Sequence, residues 1–298
     1  MTTSFRILKD RTAGGVMFFL TVAALLVVLV MGVGLYMKST PIFDDRSLGD
    51  LLLSSSWRPL KGEFGFLPFI MGTLLVTAIA IVLALPVALL TAIYLTEYGG
   101  AGIKKYVFPA LDILAGLPSV IYGVWGTLLI VPWISEKLAP RFVEFSTGYT
   151  LLAGGIVLGV MILPLLASLF IEIFTSVPGQ LREVSLSLGA TQWQTVKKVV
   201  LRKTFPGIMA AVVLAVSRAF GETIAVLMVC GNLPQIPRSL FDAAYPLPAL
   251  IANNYGEMLS LPRYEAALMF AALILFVVIL MFNLVSRAVL YRIEKSFF

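Results

Sequence analysis

The sequence predicts an all-α membrane protein whose single domain crosses the bilayer six times. Of the 298 residues, 59% are hydrophobic and 13% are charged, whereas soluble domains contain about 45–50% apolar and about 25% charged residues. The mean hydropathy is +0.98. With a window of about 19 residues, six apolar runs stand out. A helix of about 20 such residues is long enough to cross a hydrocarbon layer of about 30 Å.

The predicted spans cover residues 16–37, 66–95, 107–134, 148–174, 208–230 and 264–288. The first run has about 22 apolar residues, which is longer than the core of a signal peptide, so we expect it to remain as an anchor. The second run contains Pro86 and therefore tilts, kinks or projects beyond the bilayer. The third contains Ala-Gly-Leu-Pro-Ser at 115–119, which weakens a straight helix and either lines a cavity or forms a packing kink.

The basic residues predict the orientation of the chain. Six spans place both termini on one side, and that side carries thirteen basic residues against eight on the other. Because cytoplasmic loops are enriched in Lys and Arg, we expect both termini in the cytoplasm of a multi-pass inner (plasma) membrane protein surrounded by lipid. The segments 38–65 and 231–263 then face outward. The second of these is rich in proline, which favours a defined docking surface.

The composition argues against several classes of function. The chain has one cysteine, Cys230, and no histidine, so it cannot form an internal disulfide and lacks the commonest metal ligand and proton carrier. No stretch matches the phosphate-binding loop G-x-x-x-x-G-K-[ST]. We therefore expect no metal, no cofactor and no catalytic residue in this chain, and any ATP must be hydrolysed by another subunit. The net charge of +6 predicts topology rather than nucleic-acid binding.

Two charges lie inside the fifth predicted span, in the segment Ser217-Arg218-Ala219-Phe220-Gly221-Glu222-Thr223. An arginine at the bilayer centre costs about 2.5–3.5 kcal/mol on insertion scales, so it requires a partner or water. Glu222 follows at i+4, on the same face of a helix. Two interpretations stay open. The pair neutralises itself and pins helices together, or it lines a path in which Arg218 binds an oxyanion through its planar fork and Glu222 weakens that binding.

Neighbouring hydroxyl groups extend this candidate path. Ser217 and Thr223 are small and offer further hydrogen-bond donors or close helix contacts. Ser119, in the interrupted third run, is a weaker candidate for the same path.

The most informative loop is REVSLSLGATQWQTVKKVVLRKTFPGI, residues 182–208. Apolar positions alternate with polar ones on both sides of Gly189, which predicts two short amphipathic helices, 182–188 and 192–202, broken at that glycine. An exposed apolar edge on such a loop suits insertion into a cleft of a partner protein.

This loop resembles the cytoplasmic loop of ABC importer permeases, whose pattern is Glu-Ala-Ala, three residues, Gly, nine residues, an aliphatic residue, one spacer residue, Leu-Pro and later Pro-Gly. The residues that fit are Glu183, Gly189, Val199, Leu201, Pro206 and Gly207, while Val184 and Ser185 replace the two alanines and Arg202 replaces the first proline. The resemblance implies the fold of type I ABC importer permeases, with 175–207 as the cytoplasmic coupling helix and loop between spans four and five. It also implies that Glu183, Ser185, Gly189 and Ala190 couple the chain to the ATPase.

Other stretches narrow the resemblance. These are WRPLKGEFGFLPFIMGTL (57–74), LAGLPSVIYGVWG (114–126), SRAFGETIAV (217–226), GNLPQIPRSLFD (231–242) and ALIANNYGE (249–257). They resemble the C-type permeases of high-affinity phosphate importers over nearly the whole chain. The resemblance implies a related A-type permease, two copies of an ATP-binding subunit that holds ATP and Mg, and an extracytoplasmic phosphate-binding protein as partners. It also implies a role in transport for Arg218 and Glu222.

The resemblance thus implies a non-catalytic permease that forms half of the pathway of an ATP-driven importer, with phosphate as its substrate. Arginine binds tetrahedral oxyanions generally, so a permease for sulfate or molybdate is the nearest alternative. An ion-coupled secondary anion transporter would also use Arg218 and Glu222, but it would not need the loop around Gly189. A channel would need a ring of like residues, which one Arg–Glu pair does not supply.

Overall fold

The computed structural model describes residues 3–43, 47–256 and 262–297, so parts of the two predicted outward segments, 44–46 and 257–261, lie outside the described residues. The helices of the described part are α1 (Thr3–Ser39), α2 (Leu48–Leu53), α3 (Leu67–Ile93), α4 (Ala101–Gly116), α5 (Ser119–Trp125), α6 (Val131–Trp133), α7 (Leu151–Thr175), α8 (Gly179–Ser187), α9 (Gln192–Thr195), α10 (Leu201–Phe220), α11 (Ile224–Val229), α12 (Leu247–Asn254) and α13 (Pro262–Phe297). One antiparallel hairpin pairs β1 (Trp57–Arg58) with β2 (Glu63–Phe64). Short 3-10 turns lie at Thr40–Ile42, Pro59–Lys61 and Ala139–Arg141, and π-helical segments at Tyr94–Tyr98, Gly126–Ile130, Ile134–Leu138 and Val196–Val200.

Within the described residues, six helical stretches are long and apolar enough to cross a membrane, which confirms the predicted all-α, six-span fold class. Spans one to six are Arg11–Ile42, Leu67–Tyr98, Ser119–Arg141, Leu151–Thr175, Gln192–Phe220 and Pro262–Arg292. Their boundaries differ from the predicted ones mainly in spans three and five.

The third predicted span, 107–134, is divided between two helices. Its first part belongs to α4, which ends at Gly116, and span three begins only at Ser119. Pro118 has no backbone N–H and keeps the preceding residue out of the helical region, and Leu117 accordingly has φ −65° and ψ 134°. Tyr122 bridges the break, since its hydroxyl donates to the carbonyl of Leu114 at 2.7 Å.

The fifth predicted span, 208–230, begins earlier and ends earlier in the structure. The second amphipathic helix predicted in the loop is the first part of span five, because helix runs without interruption from Gln192 to Phe220. A capping box starts it: the Thr191 side chain accepts from Gln194 N–H, and the Gln194 side chain accepts from Thr191 N–H. Only residues 176–191 remain between spans four and five, rather than the whole of 175–207.

The interior of the bundle is built on α3 and α7, which pack closely through small residues. A Cβ on Gly155 of α7 would lie 2.3 Å from Ile79 Cγ2 of α3. A Cβ on Gly154 would lie 2.2 Å from Sγ of Cys230, at the end of α11, so α7 also packs closely on that helix. Such glycines let helix backbones approach inside a membrane, where van der Waals packing drives association. In contrast, α1 lies outside this core and packs along α13, with Gly32 against the ring of Phe276.

The two ends of α3 differ in character. At its start, the ring centroid of Trp57 lies between 4.9 and 6.2 Å from those of Phe64, Phe66, Phe69 and Tyr264, and we call this side the Trp57 end. At the other end of span two, Glu97 meets Arg182 of α8, and we call that side the Arg182 end. The two ends lie on opposite sides of the bundle because α3 runs the length of span two.

Candidate functional site

The fifth span is interrupted within apolar sequence at residues 221–223. Helix α10 ends at Phe220, Gly221 has φ −87° and ψ −6°, and α11 begins at Ile224. Arg218 therefore lies in the last turn of α10, while Glu222 lies in the connection to α11. The i to i+4 spacing predicted that both residues lie on one continuous helix, and this prediction is wrong.

Glu222 is partly buried and serves as a cap for α11. Its Oε1 accepts a hydrogen bond from the backbone N–H of Ala225 at 3.2 Å, so it satisfies one of the free donors at the start of that helix. The same side chain lines a small cavity together with Thr73 and Thr77 of α3. Glu222 is thus turned toward the interior of the chain.

Arg218 is exposed on the surface of this chain. Within the part of the chain that the structure describes, its side chain makes neither a hydrogen bond nor an ion pair with Glu222, so the self-neutralised pair left open by the i to i+4 spacing is not formed. The break after Phe220 explains this, because the shared helical face ends between the two residues. A cation at the end of α10 is favoured by the helix dipole, but at membrane depth its charge still requires water, an anion or a partner.

The two helix breaks lie side by side. Helix α5, which follows the break at 117–118, packs on α11, and a Cβ on Gly123 would lie 3.3 Å from Ala225 Cα. Ser119, partly buried, is the first residue of α5. The sequence singled out the segments around both breaks. It did not predict the contact between them, because that contact depends on tertiary packing and has no local sequence pattern.

The hydroxyl groups predicted beside Arg218 divide between different neighbours. Ser217 Oγ lies 2.9 Å from the carbonyl of Val213 and 3.2 Å from Asn283 Oδ1 on α13, so it joins two spans. Thr223 donates to the carbonyl of Gly221 at 3.2 Å, within the break itself. Thr223 is therefore the closer of the two to Glu222 in the connection, whereas Ser217 faces span six.

The loop between spans four and five turns at Gly189, whose φ is +83°. The N–H groups of Gly189 and Ala190 donate to the carbonyls of Leu186 and Ser185 at 2.9 and 3.2 Å, which closes the end of α8. The Ser185 hydroxyl lies 2.9 Å from Thr195 Oγ1 at the start of span five. The turn therefore holds α8 against the first turns of the next span.

The outer face of this loop is apolar and uncovered. Val184, Leu188 and Trp193 are 58%, 84% and 51% exposed, and the Glu183 side chain is exposed beside them. A cluster of large exposed apolar side chains next to a charged residue is typical of a protein-binding surface. We call this set of four residues the loop face.

The Arg182 end also contains an ion pair that the sequence did not predict. Arg182 Nη2 lies 2.8 Å from Glu97 Oε1, and Arg182 Nε lies 3.0 Å from Glu97 Oε2. The partners are 85 residues apart, so no local pattern connects them, although each is a polar residue beside the end of an apolar span.

The chain matches the family described as the inner membrane component of binding-protein-dependent transport systems, over residues 84–297. It therefore belongs to that family and is a permease subunit of an ABC transporter, in agreement with the resemblance drawn from the loop. It is accordingly a multi-pass protein of the inner membrane. Permeases of this family work together with ATP-binding and substrate-binding partners.

Individual relatives show which members of this family the chain is similar to. The chain is 34% identical to the phosphate transport system permease protein PstC of Haemophilus influenzae, over 93% of this chain and 90% of the relative. It is 34% identical to the PstC protein of Mesorhizobium japonicum over 91% and 88% of the two chains. A probable ABC transporter permease of Bacillus subtilis, YqgH, is 43% identical over 70% and 66%. The predicted resemblance to C-type permeases is thereby confirmed.

Solved structures show the same fold at low sequence identity. A chain of a bacterial alginate ABC transporter, in complex with a periplasmic protein carrying alginate pentasaccharide, aligns with a TM-score of 0.67 at 17% identity, over 97% of this chain and 99% of that one. A chain of the MetNI methionine ABC transporter in an inward-facing conformation aligns with a TM-score of 0.53 at 19% identity, over 74% and 91%. These matches confirm the predicted fold of type I ABC importer permeases.

Proposed function

We propose that this chain is one of two permease subunits of an ATP-driven phosphate importer and that Arg218 contacts the anion on its path. The observation that carries the proposal is the exposed Arg218 guanidinium, without an ion pair to Glu222, at the interruption of span five. The choice of phosphate rests on the relatives, several of which are named phosphate transport permeases.

The chemistry of the break suits transient binding of an oxyanion. The guanidinium offers planar, paired donors that match two phosphate oxygens. Glu222 caps α11 rather than neutralising Arg218, so the cation keeps its charge for the substrate while a carboxylate nearby opposes tight retention of the anion. Thr223 and Ser119 supply hydroxyl groups on the two adjoining breaks, and Ser217 keeps α10 against span six.

The Arg182 end and the Trp57 end of the bundle each suggest a different partner protein. Both termini and the Arg182 end lie in the cytoplasm, where the loop face meets an ATP-binding subunit. Glu183 contacts that subunit, and Ser185, Gly189 and Ala190 hold the turn that presents the loop face. That subunit, present in two copies, holds ATP and Mg and performs the hydrolysis, so this chain binds no cofactor. The Trp57 end receives phosphate from an extracytoplasmic binding protein, and a related A-type permease completes the other half of the pathway.

Two alternatives predict different outcomes. A sulfate or molybdate permease would use the same arginine, because the fork does not distinguish tetrahedral oxyanions. A secondary anion transporter would be driven by an ion gradient and would leave the loop face without a purpose. The exposure of Leu188 and Trp193 favours an ATP-driven partner complex.

The test is uptake of labelled phosphate into proteoliposomes that contain the whole complex, with sulfate and molybdate as competitors. The native chain is compared with Arg218→Lys and Arg218→Gln, and with Arg141→Gln, an exposed arginine at the end of span three, as the matched control. We expect both Arg218 variants to assemble but to lose at least about tenfold in ATP-driven uptake, since a hydrogen bond to a charged group contributes about 1.5–3 kcal/mol. The Arg141 control should transport normally.

Normal uptake in both Arg218 variants would exclude Arg218 from the path and direct attention to Ser119 and Tyr122. Uptake that needs an ion gradient but no ATP would support the secondary transporter. Full competition by sulfate or molybdate would identify another oxyanion as the substrate.

A further inference from the structure

The Arg182 end contains a buried ionic contact, which we call the Glu97–Arg182 joint. Both carboxylate oxygens of Glu97 accept from Arg182, at 3.0 Å from Nε to Oε2 and 2.8 Å from Nη2 to Oε1. The same guanidinium donates to the carbonyls of Val177 and Phe174 at 2.6 and 2.9 Å. Arg182 is thereby held by four acceptors.

The joint is largely shielded from water. The Glu97 side chain is 6% exposed and that of Arg182 is 23% exposed. A buried ion pair is tolerated when its geometry is good and its remaining donors are satisfied, and removal of one partner strands the other charge. This pair meets both conditions, so its two halves act as a unit.

The joint connects three spans with the loop. Glu97 lies at the end of span two, Phe174 lies at the end of span four, and Arg182 belongs to α8. Gln192, the first residue of span five, donates through Nε2 to the backbone carbonyl of Glu97. One residue of span two is therefore bonded both to α8 and to the start of span five.

Helix α8 has little else to hold it. None of its residues from Gly179 to Ser187 is buried, and Leu181 and Leu186 are only partly covered, at 41% and 48% exposed, so apolar packing contributes little to its position. Besides the turn at Gly189, its side-chain attachments to other elements in the described part of the chain are the Arg182 contacts and the hydrogen bond between Ser185 and Thr195. A force applied to the α8 part of the loop face, at Glu183 and Val184, therefore reaches span two through Arg182.

We propose that Glu97 is a positioning residue for coupling: through Arg182 and Gln192 it makes α8, the end of span two and the start of span five move as one unit when the loop face is displaced. The inference rests on the proposed function for its transport readout. It goes beyond that function because it assigns the transmission of movement to a residue outside the loop, on span two.

The first experiment is a double-mutant cycle in the assembled complex with Glu97→Gln, Arg182→Gln and the double variant. Glu136→Gln, an exposed glutamate in span three, is the control. The readouts are assembly, ATP hydrolysis and phosphate imported per ATP hydrolysed. We expect assembly and hydrolysis to persist while phosphate imported per ATP falls at least about fivefold in each single variant, the lower end of typical coupling between sites. The double variant should be no worse than either single one, which separate structural defects would not produce.

A second measurement is independent of the substrate. Spin labels on Gln180→Cys in α8 and Tyr98→Cys in span two, both exposed positions, report the distance between the two elements with and without a non-hydrolysable ATP analogue. The joint requires this distance to stay constant in the native background and to change with nucleotide in Glu97→Gln. A native distance that changes with nucleotide, or full coupling in Glu97→Gln, would overturn the inference. Loss of ATP-driven phosphate uptake in the native complex, with a constant label distance, would instead contradict only the proposed function.

Discussion

Gly189 and Gly221 both end a helix close to span five, but the structure places different demands on them. Gly189 has φ +83°, and a Cβ there would meet nothing within 4 Å. Gly221 has φ −87° and ψ −6°, with Arg218 O as the neighbour of an added Cβ at 3.7 Å. Position 189 therefore requires glycine only because of its backbone conformation. At position 221, both the backbone conformation and the space around the Cβ allow other residues.

The two breaks are maintained by different groups. At Gly189 the turn is closed by backbone hydrogen bonds from Gly189 and Ala190. At Gly221 the following helix is capped by a side chain, that of Glu222. A turn fixed by the backbone holds one geometry and suits a loop that transmits force. The geometry of a break that is capped by a side chain depends on the position of that carboxylate. Such a break suits a site that binds and releases a charged substrate.

Among the changes at these two glycines, Gly189→Val has the largest expected effect on coupled transport. An L-residue in the left-handed region costs about 1–2 kcal/mol, and a β-branched side chain is among the least tolerant there. We expect Gly189→Val to insert into the membrane and assemble, but to hydrolyse ATP with little phosphate uptake, because the loop face is misplaced. Uptake per ATP in proteoliposomes measures the effect.

Gly189→Asn is the matched control, since asparagine tolerates the left-handed region better than other residues. It should retain most of the coupled uptake even though it adds a polar side chain. Equal losses in the two variants would show that the surface at Gly189, rather than its φ, is what the partner requires. Normal coupled uptake in Gly189→Val would contradict the role of the loop itself.

The sequence predicted the six spans well because each is an apolar run, and burial in lipid depends mainly on composition. It placed two boundaries wrongly for local reasons. Lys197, Lys198, Arg202 and Lys203 made the first half of span five look like a loop, yet the capping box at Thr191 and the buried Val196 and Val200 continue it as helix. In span three, hydropathy carried the prediction across Pro118.

The candidate site was predicted by residue type but not by geometry. Arg218 and Glu222 were recognisable as charges in apolar sequence. Their separation depends on the end of α10, which the presence of Gly221 alone does not predict. The contact of α5 with α11 and the Glu97–Arg182 joint depend on packing between distant segments. No periodicity within one helix encodes such contacts.

A smaller effect is expected at Ser217, on the helix side of the Gly221 break. Its hydroxyl bonds to Asn283 of span six, and hydrogen bonds between membrane helices contribute about 0.6 kcal/mol on average. Ser217→Ala should lower the thermal unfolding temperature of the purified complex slightly and leave phosphate uptake within twofold, about 0.4 kcal/mol. A loss of uptake with unchanged stability would show that the hydroxyl acts on the substrate path, as the sequence suggested.

The smallest effect is expected for Gly221→Ala, which tests the other half of the comparison. Alanine fits φ −87° without strain, and an added Cβ would have only Arg218 O nearby within the described residues, at 3.7 Å. A Gly→Ala change at a compatible position stabilises by about 0.4–1 kcal/mol, because the unfolded chain loses freedom. We expect unchanged uptake and an equal or slightly higher unfolding temperature. If uptake falls while stability rises, a methyl group at 221 obstructs something that this chain does not contain, and the break is then a place where the anion or the partner permease approaches the backbone closely.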